Sequence, residues 1–317
     1  MPDASNSRIR LALEGSPPGR LIAEAAAELS AAGIENPRLD AETMLAAACD
    51  SSRVAVISGL AEISHIARER YTAMIARRKR REPLAYILGR KEFYSLEFEV
   101  TSAVLIPRPE TEIVVSAALE FIQRNTDARV CDLGTGSGAI ALAIAANSAT
   151  AQLIATDISA EALAIARRNE VRLGLPSRVR FRLADCFKPV DSMGPLGRFD
   201  LLVSNPPYIR EDQIAGLAPE ISRFEPRAAL AGGHDGLELY RRVAPELTDH
   251  LERNGSAIVE VDAEQSAAVS EIMRSAGATS IEVVHDLAGM PRVVVARFQS
   301  RITRSGSVQN KQTTLSI

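Results

Sequence analysis

Three observations in the 317-residue chain predict an α/β fold with a mostly parallel sheet behind a small N-terminal helical region. From about residue 110, short apolar runs alternate with amphipathic stretches, the pattern of parallel strands joined by crossover helices. Ahead of that, residues 20–90 are rich in Ala, Leu, Arg and Glu, with apolar positions at helical spacing. Between the two lies an aromatic and β-branched segment with partial alternation.

In chain order, LIAEAAAELSAAG and EISHIARERYTAMIARRKRRE read as helices, with Gly33 stopping the first and Pro83 closing the last. The basic run RRKRR at 77–81 reads as a solvated helix end whose cations complement the helix dipole. KEFYSLEFEVTSAVLIP, residues 91–107, reads as a hairpin linking the helical unit of residues 1–90 to the larger domain of residues 108–299. The strands of that domain are expected at 129–134, 152–157, 178–185, 199–204, 256–262, 280–286 and 292–298. The last two lie too close together for a crossover helix, so they are expected to pair antiparallel at one edge. The helix after the second strand is expected to start at Ser159 as N-cap and to end at Gly174. Residues 300–317 are polar and without period, and a disordered tail is expected there.

Composition narrows the function. Hydrophobic residues make up 46% of the chain, enough to bury a core, and the net charge of −3 argues against an electrostatic grip on long nucleic acids. Cys49, Cys131 and Cys186 have no metal-ligand spacing, so reduced thiols and no metal are expected. The opening MPDASNSRIRLALEGSPPGR has no apolar run of the signal-peptide type, and no stretch approaches the roughly 18 apolar residues of a membrane span. A soluble cytoplasmic monomer is the expectation.

The chemistry is carried by residues at strand ends. In DLGTGSGAIALAIA, Gly134, Gly136 and Gly138 follow a strand and open a helix of small apolar residues. Glycines there let the chain turn sharply and let a ligand approach the backbone and the helix N-terminus. The spacing alone does not separate a nucleotide cofactor from S-adenosylmethionine. Asp157 ends the second strand, where a carboxylate can accept both hydroxyls of an adenosine ribose. Asp185, beside Cys186 at the end of the third strand, can accept a hydrogen bond from an adenine amine.

At the end of the fourth strand stands Asn205-Pro206-Pro207-Tyr208. Neither proline has an N–H to donate, and Pro207 biases Pro206 toward an extended conformation, so the Pro206 carbonyl is expected to be a free acceptor. The Asn205 side-chain carbonyl is a second acceptor, and two fixed acceptors suit an NH₂ group with two hydrogens to donate. Tyr208 is expected to add a flat face for a planar substrate group. His234, His250 and His285 fall in helical or strand-end contexts and read as surface or structural residues.

Taken together, PRPETE (107–112), DLGTGSGAIALAIA (132–145), FDLLVSNPPYI (199–209), FEPRAALAGGHDGLELYRR (224–242) and DLAGMPRVVVARF (286–298) resemble the release factor glutamine N5-methyltransferases, the HemK/PrmC type. PRLDAE and REPLAYILG extend the resemblance into the helical domain. It implies a Rossmann-like, seven-stranded methyltransferase sheet with one antiparallel strand. It also implies S-adenosyl-L-methionine as cofactor, S-adenosyl-L-homocysteine as product, and the glutamine of the Gly-Gly-Gln motif in peptide-chain release factors as substrate.

By that resemblance Gly134, Thr135, Gly136, Ser137, Gly138 and Asp157, with Asp185, Cys186 and Asn205, hold the cofactor. Asn205, Pro206, Pro207 and Tyr208 hold the glutamine amide, and Asn205, Pro206 and Tyr208 are the catalytic group. The N-terminal helical domain contacts the release factor. The Asn-Pro-Pro-Tyr element alone also suits methyltransferases of nucleic-acid bases, DNA adenine or ribosomal RNA among them. Cys186 stands where relatives usually carry tryptophan, a residue this chain lacks altogether. For Arg108, Glu110, Glu225 and Arg227 two readings stand side by side: shaping the pocket, or stiffening loops through ion pairs.

Overall fold

Helix α1 (Pro18–Ala31) starts with proline in its first turn, where the missing N–H removes no intrahelical bond, and the chain leaves it through Gly33 at φ +75°. α2 (Pro37–Ala48) starts the same way. α3 (Arg53–Ile57) and α4 (His65–Lys79) are capped by the Ser52 and Ser64 hydroxyls, which accept from the N–H of Ala55 and Ala67. α5 (Leu84–Leu88) ends at left-handed Gly89. The apolar faces of these helices close on a core of their own that includes Leu29, Met44, Leu45, Val56 and Tyr71. This computed structural model describes residues 17–298, so the expected tail beyond residue 299 lies outside the described residues.

The basic run at the end of α4 is solvated only in part: Lys79 and Arg80 are exposed, but the run also turns inward. Successive residues of an α-helix point about 100° apart, so five in a row sweep more than a full turn and one must face inward. Arg78 does, and is 8% exposed. Its Nε donates to Asp40 at 2.7 Å and its Nη1 to Glu220 at 2.8 Å. Arg81 donates to the other Glu220 oxygen at 2.7 Å, and Arg77 pairs with Glu82. Glu220 belongs to the sheet domain, so these arginines anchor the helical region to it.

Strands β1 (Arg90–Phe93) and β2 (Leu96–Glu99) form the expected linking hairpin, turned by Tyr94 and Ser95 in left-handed conformations. Pairing stops at Glu99, short of residue 107. Val100, Val104 and Ile106 are buried instead in an irregular segment that turns at Thr101. Alternating apolar residues there satisfy a core without a strand partner.

α6 (Glu112–Arg124) precedes β3 (Arg129–Leu133), α7 (Ala139–Asn147), β4 (Gln152–Asp157), α8 (Ala160–Arg172) and β5 (Val179–Asp185). Then come β6 (Lys188–Pro189), β7 (Phe199–Ser204), α9 (Glu211–Ile214), α10 (Pro219–Phe224), α11 (Glu238–Val243), α12 (Leu247–His250), β8 (Leu251–Glu260), α13 (Ser266–Ser275), β9 (Ser280–His285) and β10 (Pro291–Arg297). Ser159 caps α8 by accepting from the N–H of Ala162. The strand order is β6-β5-β4-β3-β7-β8-β10-β9. β3, β4, β5, β7 and β8 run parallel. β10 runs antiparallel between β8 and β9, as the short link between the last two strands requires.

The sheet therefore has eight strands among the described residues, not seven. The additional one is the two-residue β6, folded back on β5 through Cys186 at φ +53°. A pairing that short leaves no periodicity to read. Alternate residues of the long strands go to opposite faces. Leu201, Val203, Ile258 and Val293 pack with α6, α7 and α8, whereas Leu202, Val259 and Val294 pack with α11, α12 and α13. No helix among the described residues is long and apolar enough to cross a membrane.

Replacing Glu220 by alanine strips one shared acceptor from two guanidinium groups. Because the Arg78 side chain is only 10% exposed and that of Glu220 17%, the loss is expected to be about 2–3 kcal/mol in a denaturant titration. A change no larger than a typical surface pair, about 0.5 kcal/mol, would contradict an anchoring role.

Candidate active site

Parallel pairing brings the carboxyl ends of β3, β4, β5 and β7 to one edge of the sheet, and a cavity of about 570 Å³ opens there. Gly134, Thr135, Gly136 and Ser137 line it from the turn after β3, and Asp157 from the end of β4. Asp185 and Cys186 line it from the end of β5, and Asn205, Pro206 and Pro207 from the end of β7. Two expected residues are not in its wall. Gly138 lies behind the turn at φ +83°, where a Cβ would come within 2.9 Å of Leu142 and 3.2 Å of Ala166, so its glycine serves helix packing. Tyr208 is half-buried against the second core cluster, with its hydroxyl 3.3 Å from Glu260, and presents no flat face to the cavity. Bonding of its hydroxyl to Glu260 and packing of its ring hold it away.

The glycine turn is braced from beneath. Gly134 and Thr135 N–H groups both donate to the Thr156 carbonyl at 2.9 Å, and the Gly136 N–H donates to Asp157 Oδ2 at 2.8 Å. Asp157 Oδ1 accepts from the Ser159 N–H at 2.9 Å. An ionised carboxylate offers about four acceptor sites, so two backbone bonds leave Asp157 able to accept from a ligand. Burial pushes its pKa up. Fully buried Asp132, which the sequence reading passed over, accepts from the Thr135 hydroxyl at 2.6 Å and the Ala141 N–H at 3.2 Å. Its Oδ1 has no partner among the described residues, and burial pushes the carboxyl up to about 7. Asn169, also fully buried, ties the Ser137 carbonyl to the β2 backbone at Glu99. At Gly134 and Gly136 nothing lies within 4 Å of where a Cβ would stand, so the turn presents open space to the cavity.

The loop after β7 is braced as closely. Ser204 Oγ donates to the Leu133 carbonyl at 2.7 Å, joining the ends of β7 and β3. Asn205 Nδ2 donates to Thr111 Oγ1 at 3.0 Å, which leaves the side-chain carbonyl as the free end. No backbone N–H donates to the Pro206 carbonyl among the described residues. Gly232 passes so near that a Cβ would stand 2.8 Å from Pro207 O. Gln265 Nε2 donates to the Tyr208 carbonyl at 2.9 Å. Behind them Glu260 is 1% exposed; burial pushes its carboxyl up to about 7 although the hydroxyls of Thr111 and Tyr208 hold it down.

Other expected residues are placed by ion pairs. Arg108 and Glu225 pair with each other, with Glu225 buried, so PRPETE and FEPR meet beside the cavity. Arg227 lies 3.8 Å from Glu211 at the surface. Asp185 Oδ1 accepts from Arg242 at 2.7 Å, and Arg242 itself lines the cavity. The sequence reading missed Arg242, Thr111 and Asp132. The first two reach the site from distant segments, and only Asp132, directly ahead of the glycine turn, left a local signal.

Because folding raises the Asp132 pKa from an ordinary 3.8 to about 7, the folded chain favours the protonated form. That contribution to stability is complete below about pH 3.8 and is lost as pH rises through about 7. Asp132→Asn does not titrate. Unfolding free energies measured between pH 5 and 7 are therefore expected to show wild type losing up to about 1.4 kcal/mol per pH unit relative to the variant. Parallel curves would refute the buried, proton-binding state of Asp132.

The chain is similar to known proteins along most of its length. Residues 20–89 match the PrmC N-terminal domain, and residues 112–222 match the methyltransferase small domain. The release factor glutamine methyltransferase of Moorella thermoacetica is 41% identical over 277 residues, covering 87% of this chain and 96% of that protein. The protein of the same name from Caulobacter vibrioides is 40% identical, covering 84% and 91%. Among solved structures, the hMettl16 catalytic domain in complex with MAT2A 3′UTR hairpin 6 shares the fold, with a TM-score of 0.51 at 16% identity over 76% of this chain and 84% of that one. With close relatives matched over nearly their whole length, the chain belongs to the release factor glutamine methyltransferase family.

Proposed function

We propose that this protein methylates the side-chain nitrogen N5 of the glutamine in the Gly-Gly-Gln motif of peptide-chain release factors, with S-adenosyl-L-methionine as methyl donor. The observation that carries the reading is the pair of acceptors at the cavity wall: Asn205 Oδ1, left free because Nδ2 is bound to Thr111, and the Pro206 carbonyl. They match the two hydrogens of a primary carboxamide. The cavity also suits the cofactor: open space in front of Gly134 and Gly136, the N-terminal end of α7, and the Asp157 carboxylate with acceptor capacity to spare. S-adenosyl-L-methionine supplies an electrophilic methyl group when bound.

The protein's part is positioning. An amide nitrogen is a poor nucleophile because its lone pair is delocalised into the carbonyl. Two acceptors holding both N–H groups fix the plane of the amide and strengthen as positive charge builds on nitrogen, which favours the transition state over the ground state. Water can take the departing proton, so a dedicated base is not needed. The helical region is assigned to release factor contact, and exposed Val54, Leu60 and Ile66 give it apolar surface for that. Action on release factors fits a cytoplasmic enzyme.

With radiolabelled methyl donor, label is expected on the release factor and not on duplex DNA or ribosomal RNA. Mass spectrometry is expected to find one added methyl group on the Gly-Gly-Gln glutamine. Asn205→Ala is expected to lower kcat about 100- to 1000-fold while the cofactor still binds by calorimetry. Label on nucleic acid instead of the release factor would reject the assignment.

A further inference from the structure

Among the described residues, no aromatic side chain lines the cavity. A base seated there has no ring to stack on, and the turn after β5 brings only the short Cys186 side chain beside Asp185. Apolar side chains such as Ile158 and Leu239 can touch the faces of a base but cannot tell one base from another. Directional recognition is left to its edge. Adenine carries there an NH₂ that donates, at N6, next to a ring nitrogen that accepts, N7. Such an edge is matched by an acceptor and a donor standing side by side, which a carboxamide offers within one side chain.

Asp185 and Arg242 supply that pair from two elements. Helix α11 is fixed to the sheet through buried Tyr240, whose hydroxyl donates to the Glu260 carbonyl at 2.6 Å, and through buried Val243. Glu238, Leu239 and Arg242 of the same helix line the cavity. There Arg242 Nη2 donates to Asp185 Oδ1 at 2.7 Å. That bond uses one of the roughly four acceptor sites of a carboxylate and one of the five N–H donors of a guanidinium, so both groups keep capacity for a ligand. The two side chains are 47% and 41% exposed, and an ion pair so open contributes little to folding. Its use lies in the cavity it faces.

We propose that Arg242 is a specificity residue for the cofactor: with Asp185 it forms a composite edge that reads the adenine of S-adenosyl-L-methionine, Asp185 accepting from N6 and Arg242 donating to N7. The inference rests on the reading that the cavity holds that cofactor.

The test is calorimetric binding of S-adenosyl-L-homocysteine and of its 7-deaza analogue, in which carbon replaces N7, to the full chain. Wild type is expected to bind the analogue about 5- to 50-fold more weakly. Arg242→Met is expected to lose a similar factor for S-adenosyl-L-homocysteine and to bind the two compounds within about twofold of each other, with the midpoint of denaturant unfolding unchanged. Arg242→Lys, which keeps a donor, is expected to recover part of the preference.

Equal affinity of wild type for the two compounds would overturn the proposal, as would an undiminished preference in Arg242→Met. A loss of affinity by one common factor for both compounds counts against it as well, because that is what a residue that only shapes the cavity would give. If wild type binds neither compound, the functional reading fails and takes this inference with it; binding without preference refutes this inference alone.

Discussion

Parallel pairing of β7 with β3, and of β3 with β4, is the constraint on which the site depends. Strands in parallel register end at the same edge, so the glycine turn after β3, Asp157 after β4 and Asn205 after β7 converge although they are far apart in the chain. The bond from Ser204 Oγ to the Leu133 carbonyl fastens two of these ends within one hydrogen bond of each other. Each parallel pair also demands a crossover, and the crossover helices bury both faces of the sheet. The cavity is what remains at the edge the helices do not cover.

Around that cavity the structure repeats one device, a carboxylate facing away from water that accepts from groups whose position matters. Asp132 and Asp157 hold the glycine turn, Glu225 holds Arg108, and Glu260 holds the hydroxyl of Tyr208. Burial raises the pKa of all four carboxyls, so each is kept at an energetic cost. Hydrogen bonds to a carboxyl group away from water are directional and strong, and they fix both backbone and side-chain donors. Such bracing suits chemistry done by placement.

Segments ahead of the sheet domain complete the bracing. Asn169 ties the hairpin backbone to the Ser137 carbonyl, so one wall of the cavity leans on β2. Arg78 and Arg81 grip Glu220 in α10, a dozen residues past Tyr208, so the segment that follows the Asn205–Tyr208 loop leans on the helical region.

The sequence by itself determined the class of fold, the seven long strands, the antiparallel pair at the edge and the strand-end motifs. It could do so because alternation, strand-to-helix glycines and N–H-free prolines act through local backbone chemistry that neighbouring residues reveal. Tertiary structure alone decided which way side chains turn. Tyr208 faces Glu260 instead of the cavity, Arg78 is buried inside a basic run that reads as solvated, Asp185 is met by Arg242, and Asn205 is oriented by Thr111. Each depends on a partner many positions away, and a hydrogen bond between distant residues leaves no period, cap or spacing in the chain that precedes it.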